Sequence, residues 1–295
     1  MITVVVPTYN RGDILRRTLP KYLDPNVASI IVVDDGSSDD TAQVIAALRQ
    51  RDPRILYLKN ESRQGSVVAR NKGLQAVRTP YFLMTDDDVY PDSGFFSTVL
   101  AATAERGADI VAVRKVRLNE SGDEQLARQS GGHGPPVDYD RLAFDFDTQW
   151  AGPTTTVPGT YFAKQALAAA VSYDTKYQGG AWREETDFGL TAHLNGFNIY
   201  FEPKALVFEL PKSDHHGGQW ALPLSVYIAS AIRNNWYFLE KFQAPLRRDN
   251  LLHRPIWRLH CRFIFERLTL LVIVPAKQIL GPQAVMFARR LLGRA

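Results

Sequence analysis

Ile2-Thr3-Val4-Val5-Val6-Pro7-Thr8-Tyr9-Asn10-Arg11 is the stretch that decides the fold. It opens as an unbroken β-branched run, as a strand buried on both faces of a parallel sheet should read, and breaks into a polar turn. The same script returns at Ile30-Ile31-Val32-Val33-Asp34, followed by Asp35-Gly36-Ser37, and at Tyr81-Phe82-Leu83-Met84, followed by Asp86-Asp87-Asp88. Ile55 to Leu58 reads as a further strand. Between these runs, Ile14, Leu15, Leu19 and Leu23 recur at helical spacing, Thr41 to Gln50 predicts a helix capped by Asp39 or Asp40, and Val67 to Ala76 predicts another. Strand and helix alternate at short period, which predicts an α/β, Rossmann-like fold with a doubly wound, mostly parallel sheet flanked by helices. Such sheets bind ligands at the carboxyl ends of their strands.

The second half is less regular. Residues 118–158 read as a long excursion with an insertion loop around Gly131-Gly132-His133-Gly134, strands resume near Tyr161, Ile199 and Leu206, and a helix covers Glu185 to Asn195. From Leu224 the pattern is helical and aromatic. The expected division is an α/β domain over 1–225, with halves at 1–100 and 101–225, and a helical basic region over 226–295.

Composition bounds the function. With 295 residues, 45% of them hydrophobic and 22% charged, the chain reads as an ordinary globular protein. A protein of this size buries roughly 75% of its unfolded surface and needs no structural metal or disulfide. Cys261 is the single cysteine, so no intrachain disulfide forms and a reducing compartment is expected. Met1 runs directly into the first strand without a basic leader, so a cytoplasmic location is expected. After residue 240 there are 11 Lys or Arg and two acids, net +9, whereas the first 240 residues carry 24 and 29, net −5. A basic tail on a mildly acidic body suggests a polyanionic partner. Arg254, Arg258 and Arg262 recur every four residues beside Trp257, Leu259 and Phe263, with Arg289, Arg290 and Arg294 beyond, and the longest uncharged apolar run, Leu268 to Ala276, has nine residues. That suits a helix lying in an anionic bilayer surface, on its inner face, without crossing it. No aromatic-basic platform for nucleic acid is discernible in the first domain.

The three polar turns outline a nucleotide-sized pocket. Three adjacent carboxylates at a strand end repel one another unless a cation or hydrogen-bond donors stand between them, and Mg²⁺ or Mn²⁺ does so with one or two carboxylates plus phosphate oxygens. Asp35 can accept from a base or ribose, and Arg11 or Arg70 can meet a pyrophosphate. A nucleotidyltransferase would carry a Gly-rich, basic loop after its first strand, which Pro7-Thr8-Tyr9-Asn10 is not. A sugar-nucleotide sensor would need no acceptor-side carboxylate.

Val5 to Arg11, Ile31 to Thr41, Ala69-Arg70-Asn71-Lys72-Gly73 and Asp86-Asp87-Asp88, in this order and spacing, resemble the nucleotide-binding half of family-two glycosyltransferases with the GT-A fold. The resemblance is close over about residues 2–100 and looser to about residue 210. It implies an inverting, metal-dependent transfer of a sugar from a nucleotide diphosphate to an acceptor hydroxyl, the donor being UDP-linked by first preference and GDP- or dTDP-linked otherwise. Pro7, Thr8, Tyr9, Arg11, Asp35, Arg70, Asp86 and Asp87 would bind that donor. Asp86 and Asp88 would end the DxD motif, with Asp88 on Mn²⁺ or Mg²⁺. Trp182-Arg183-Glu184-Glu185-Thr186-Asp187 looks like the family's acceptor-side motif, whose second acid, the general base, maps onto Glu185, leaving Glu184 and Asp187 as alternatives. Where members often carry a metal-side His, this chain has Glu209, and His215 or His216 could close onto the metal from a loop eased by Gly217-Gly218. A glycan or lipid-linked acceptor is implied.

Overall fold

The computed structural model describes residues 1–180, 182–214, 216 and 222–280, with only the backbone at 270 and 272–280. His215, Gly217, Gly218, Arg289, Arg290 and Arg294 lie outside the described residues.

Nine strands form the main sheet. β1 (Ile2–Thr8), β2 (Val27–Asp34), β3 (Ile55–Lys59) and β4 (Tyr81–Met84) are joined through α1 (Gly12–Thr18), α2 (Thr41–Arg51) and α3 (Ser66–Gln75). They pair in the order β3-β2-β1-β4, all parallel. Asp39, rather than Asp40, holds the start of α2: its Oδ1 accepts from the Thr41 backbone N–H at 3.0 Å and from the Thr41 hydroxyl.

β5 (Val89–Pro91), α4 (Phe95–Arg106), β6 (Ile110–Arg117), α5 (Glu124–Gln129), the β7 (Val137–Asp138) and β8 (Ala143–Phe144) hairpin, and β9 (Gly152–Pro153) follow. Next come β10 (Tyr161–Lys164), α6 (Gln165–Ala170), α7 (Glu184–Leu194) and β11 (Ile199–Glu209). This half of the sheet is mixed: β10 lies antiparallel between β4 and β6, β11 runs parallel to β6, and β5 and β9 are antiparallel to β11. β11 is one strand with a shift in pairing between Glu202 and Leu206, not two. The excursion over 118–158 is pinned from within: Phe144, Phe146 and Trp150 pack on the main core, and the Arg114 guanidinium donates to the Asp147 carboxylate and to the Ala127, Arg128 and Ser130 carbonyls.

Helices cover both faces. Gly73 lets α3 lie flat on β1, since a Cβ there would come 2.2 Å from Val5 Cγ1. α8 (Leu224–Arg248) and the start of α9 (Ile256–Leu280) feed Phe238, Leu239, Phe242, Leu246 and Leu259 into the same core cluster as Tyr161, Phe188 and Phe201. Among the described residues no helix is long and apolar enough to cross a membrane.

Candidate active site

Because β2, β1 and β4 are parallel neighbours, the turns that follow them share one edge. Asn10, at φ 53, ties two of these turns together: its backbone N–H donates to Ser37 Oγ and its Oδ1 accepts from the Ser38 N–H, both at 2.8 Å. The paired acids of the second turn divide their work. Asp34 is structural, accepting from the Ser37 N–H and the Tyr57 hydroxyl. Asp35 faces the cavity, buried, and accepts from Asn60 Nδ2, the Gln64 N–H and the Gly65 N–H at 2.7–2.9 Å.

The acidic triad is threaded with cations. Arg11 Nη1 donates to Asp87 Oδ1 and, at 3.0 Å, to Asp88 Oδ2, while Thr8 Oγ1 donates to Asp87 Oδ2 at 2.8 Å. Arg70 Nη2 meets Asp86 Oδ1 at 2.7 Å and Lys115 Nζ meets Asp86 Oδ2 at 3.0 Å. Gly159 is required by close approach: a Cβ there would stand 2.7 Å from Asp86 Oδ2 and 2.8 Å from Glu185 Oε1.

The acids at the head of α7 converge on the same arginine. Arg70 lies 3.2 Å from both Glu184 Oε1 and Glu185 Oε1. Glu184 is buried, with its side chain 5% exposed, and also accepts from Ser66 Oγ, whereas the Glu185 side chain is 37% exposed and opens into the cavity. Asp187 does not join them. It points the other way, where its carboxylate takes the Tyr177 hydroxyl at 2.9 Å, Thr191 Oγ1 at 3.2 Å and Lys241 Nζ at 2.7 Å, locking α7 to α8. Nor does the His216 ring reach the triad: Nε2 lies 3.0 Å from Asp13 Oδ1, while its backbone carbonyl accepts from Arg11 Nε at 2.7 Å.

Electrostatics separate the acids. Burial works against the charge of Asp86, yet Lys115 and Arg70 outweigh it and hold this carboxyl well below the usual range. Burial, with Asp87 and Asp86 alongside, pushes Asp88 up to about 7. Burial, only partly offset by Arg70, pushes Glu184 up to about 8 and raises Glu185. Among the described residues no three His, Cys, Asp or Glu are grouped to hold a metal unaided.

A cavity of about 300 Å³ is lined by Pro7, Thr8, Tyr9, Arg11, Asp35, Arg70, Asp86, Asp87, Asp88, Glu184, Glu185 and Glu209 among others. Arg63 stacks over the Tyr9 ring at 4.3 Å. A wider groove of about 940 Å³ between α3 and α6 has Arg78 as its single charged lining residue and presents no acid–base pair. The sequence profile described as Glycosyl transferase family 2 matches residues 3–163, more than half of the chain.

The chain belongs to glycosyltransferase family 2.

Among curated relatives, it is 30% identical over 123 residues to Glycosyltransferase GlyG of Streptococcus pneumoniae, covering 41% of each chain. It is 30% identical over 148 residues to a GalNAc(5)-diNAcBac-PP-undecaprenol beta-1,3-glucosyltransferase of Campylobacter jejuni, covering 49% of this chain and 47% of that protein. The matches thus span less than half of either relative. S. aureus TarS 1-349 in complex with UDP-GlcNAc superposes with a TM-score of 0.58 at 18% identity, over 81% of this chain and 66% of that one. A Pyrobaculum calidifontis mannosyltransferase in complex with GDP-Man and Mn²⁺ gives 0.54 at 17%, over 100% and 76%. The fold is therefore GT-A.

Several cavity residues of this family-two chain escape a reading of its motifs. Lys115 and Arg117 come from β6 and meet Glu209 of β11, the residue already singled out in the sequence: Arg117 Nη2 pairs with Glu209 Oε1 and Lys115 Nζ stands 3.6 Å from Glu209 Oε2. The available signal was the alternation Arg114-Lys115-Val116-Arg117, which in a strand sends Lys115 and Arg117 to one face and Arg114 to the other. Ser66 and Gly159 carry no such signal. The packing of Asp187 generates a prediction: Asp187→Asn lowers stability in urea denaturation by about 1–3 kcal/mol, the cost of weakening a buried charge-assisted network, with nucleotide affinity unchanged. A stable variant with lost turnover would instead assign the base to Asp187.

Proposed function

We propose that this protein transfers a sugar from a nucleotide diphosphate to an acceptor hydroxyl with inversion, using a divalent cation and Glu185 as general base. The observation that carries this reading is the convergence of Asp86 and Glu185 on one arginine, Arg70, in a single cavity. Donor-side and acceptor-side acids thereby face the same space, as a direct displacement needs. The complexes of neighbouring folds with UDP-GlcNAc and with GDP-Man and Mn²⁺ support a nucleotide-sugar donor and a divalent cation.

Seven acids and six basic residues line the cavity, so it is close to neutral before ligand enters. A diphosphate would bring an excess of negative charge. Mn²⁺ or Mg²⁺ held by Asp88, with Asp86 beside it, would offset that charge and stabilise the departing diphosphate. Thr8 and Arg11 fix Asp87 and Asp88, while Arg70 and Lys115 fix Asp86, so the acids are oriented before ligand arrives. Asp35, with Tyr9 and Arg63 nearby, suits the nucleoside.

Glu185 takes the proton from the acceptor hydroxyl as that oxygen attacks the anomeric carbon from the face opposite the leaving group. Its openness to the cavity favours it over the enclosed Glu184. Its raised carboxyl makes it a stronger base than an ordinary glutamate, since its driving force for accepting a proton is larger. The acceptor is a glycan or lipid-linked glycan. Its delivery at a bilayer is supported by α9, where Trp257, Phe265, Leu268 and Leu271 are exposed, with exposed Arg258 and Arg262 on the same helix and Arg254 just before it.

Three outcomes test the reading. Glu185→Gln keeps donor affinity but lowers kcat by roughly 10²-fold or more, the usual contribution of a general base. In the wild type, kcat falls as pH drops through a pKa above the ordinary glutamate value, because protonation removes the base, and the variant loses that acidic limb; a near-normal kcat in Glu185→Gln assigns the base elsewhere. Asp88→Ala abolishes the gain in donor affinity given by Mn²⁺, read by titration with and without the ion; an undiminished gain removes Asp88 from the metal site. Co-sedimentation with phosphatidylglycerol liposomes falls with rising salt and with Arg254, Arg258 and Arg262 changed to Glu, and indifference to such liposomes makes α9 a protein-packing helix instead.

A further inference from the structure

Beside the donor cavity lies a smaller one of about 50 Å³, walled by α9 and by the turn that leads into α7. Its charged lining is Arg141, Arg183, Arg262 and Arg267 against the single acid Glu266. Arg183 lines both cavities and immediately precedes Glu184 and Glu185. Its backbone sits in the left-handed region at φ 80, a conformation costing about 1–3 kcal/mol for a residue with a side chain, which persists where surrounding structure imposes it.

The setting of Arg183 is unusual for a buried charge. It is 8% exposed, its guanidinium lies over the rings of Phe144 at 4.5 Å and Phe263 at 5.6 Å, and its Nε donates to a neutral partner, Asn235 Oδ1, at 3.0 Å. Burial and the like charge of Arg267 push it down to about 9. Buried charges are normally matched by an opposite one. Arg262 Nε pairs with Glu266 Oε1 at 3.0 Å and Arg141 Nε stands 3.6 Å from Asp138 Oδ2, so four arginines and two acids leave this cleft with positive charge in excess, and arginine forks are suited to phosphate oxygens.

We propose that the cleft formed by Arg141, Arg183, Arg262 and Arg267 binds a phosphate or diphosphate ester carried by the acceptor, placing the acceptor's sugar hydroxyl at Glu185. The assignment of Glu185 as base rests on the function proposed above; anion binding by the cleft does not. α9 supplies Arg262 to the cleft and also carries the exposed Trp257, Phe265 and Leu268, so a phosphate held here sits where a lipid tail could leave directly along an apolar surface. The phosphate could belong to a polyprenyl lipid or to a phosphodiester-linked polymer.

Calorimetric titration of the full chain distinguishes these sources. The donor cavity is first filled with Mn²⁺ and whichever of UDP or GDP binds, and farnesyl diphosphate and sn-glycerol 3-phosphate are then titrated separately at fixed salt. Binding of the first identifies a lipid-linked acceptor, and stronger binding of the second a polymeric one. Arg262→Gln and Arg141→Gln, whose side chains are exposed and leave the core untouched, each weaken the preferred phosphate by about tenfold or more, as loss of one charge-assisted hydrogen bond predicts, while nucleotide affinity stays unchanged. The proposal is overturned if neither phosphate binds, if both variants bind it as the wild type does, or if they weaken only attachment to phosphatidylglycerol vesicles. A wild type that binds phosphate in this way but neither nucleotide removes the proposed donor chemistry and leaves the cleft standing.

Discussion

Everything at this site depends on keeping several carboxylates close together out of bulk water. Asp86, Asp87 and Asp88 follow one strand, and Glu184 and Glu185 reach the same space from the head of a helix more than 90 residues later. Their repulsion at low dielectric is a cost of several kcal/mol unless cations intervene. Arg11, Arg70 and Lys115 are those cations, each from a different element: the turn after β1, α3 and β6. Arg70 matters most, because it joins Asp86 to both acids at the head of α7. Burial, with the neighbouring acids adding to it, still leaves Asp88 and Glu184 raised.

The second half of the chain works as a frame for α7. Phe188 is fully buried and stacks on Tyr173 at 4.2 Å, Thr156 Oγ1 donates to the Thr186 carbonyl, and Asp187 ties the helix to Lys241 of α8. With its underside fixed in three places, α7 holds Glu184 and Glu185 over the strand edge. α8 then steadies the turn before α7, where Asn234 donates to the Gln178 carbonyl and Asn235 takes Arg183. The C-terminal helices therefore shape the α7 side of the cavity as well as covering the core, and α9 brings charge of its own to the adjoining cleft.

Much of this was legible in one dimension. Continuous β-branched runs ending in polar turns identify buried parallel strands, because a strand covered on both faces has no position for a polar side chain until it leaves the sheet. Once those strands are parallel neighbours, Thr8, Asp35 and Asp86 to Asp88 must share an edge. The neutralising roles were less legible. Arg11 reads as a phosphate ligand from its place in a turn, but its guanidinium is held by Asp87 and Asp88, and nothing local to residue 11 specifies partners 76 and 77 positions away.

The sequence by itself determined the α/β order, the edge on which the site lies and the carboxylates available to it, since strand burial and turn chemistry are local in the chain. Tertiary structure alone decided which acids face the cavity and which brace the helices. Glu185 and Asp187 are two residues apart on one helix, and the 3.6-residue turn sends them to opposite sides, one into the cavity and the other onto Tyr177 and Lys241. It also decided that β10 would enter antiparallel between β4 and β6, bringing Lys115 to Asp86, and that α9 would set its arginines beside Arg183. These are long-range pairings, fixed by how sheets and helices pack, and no local pattern of residues encodes them.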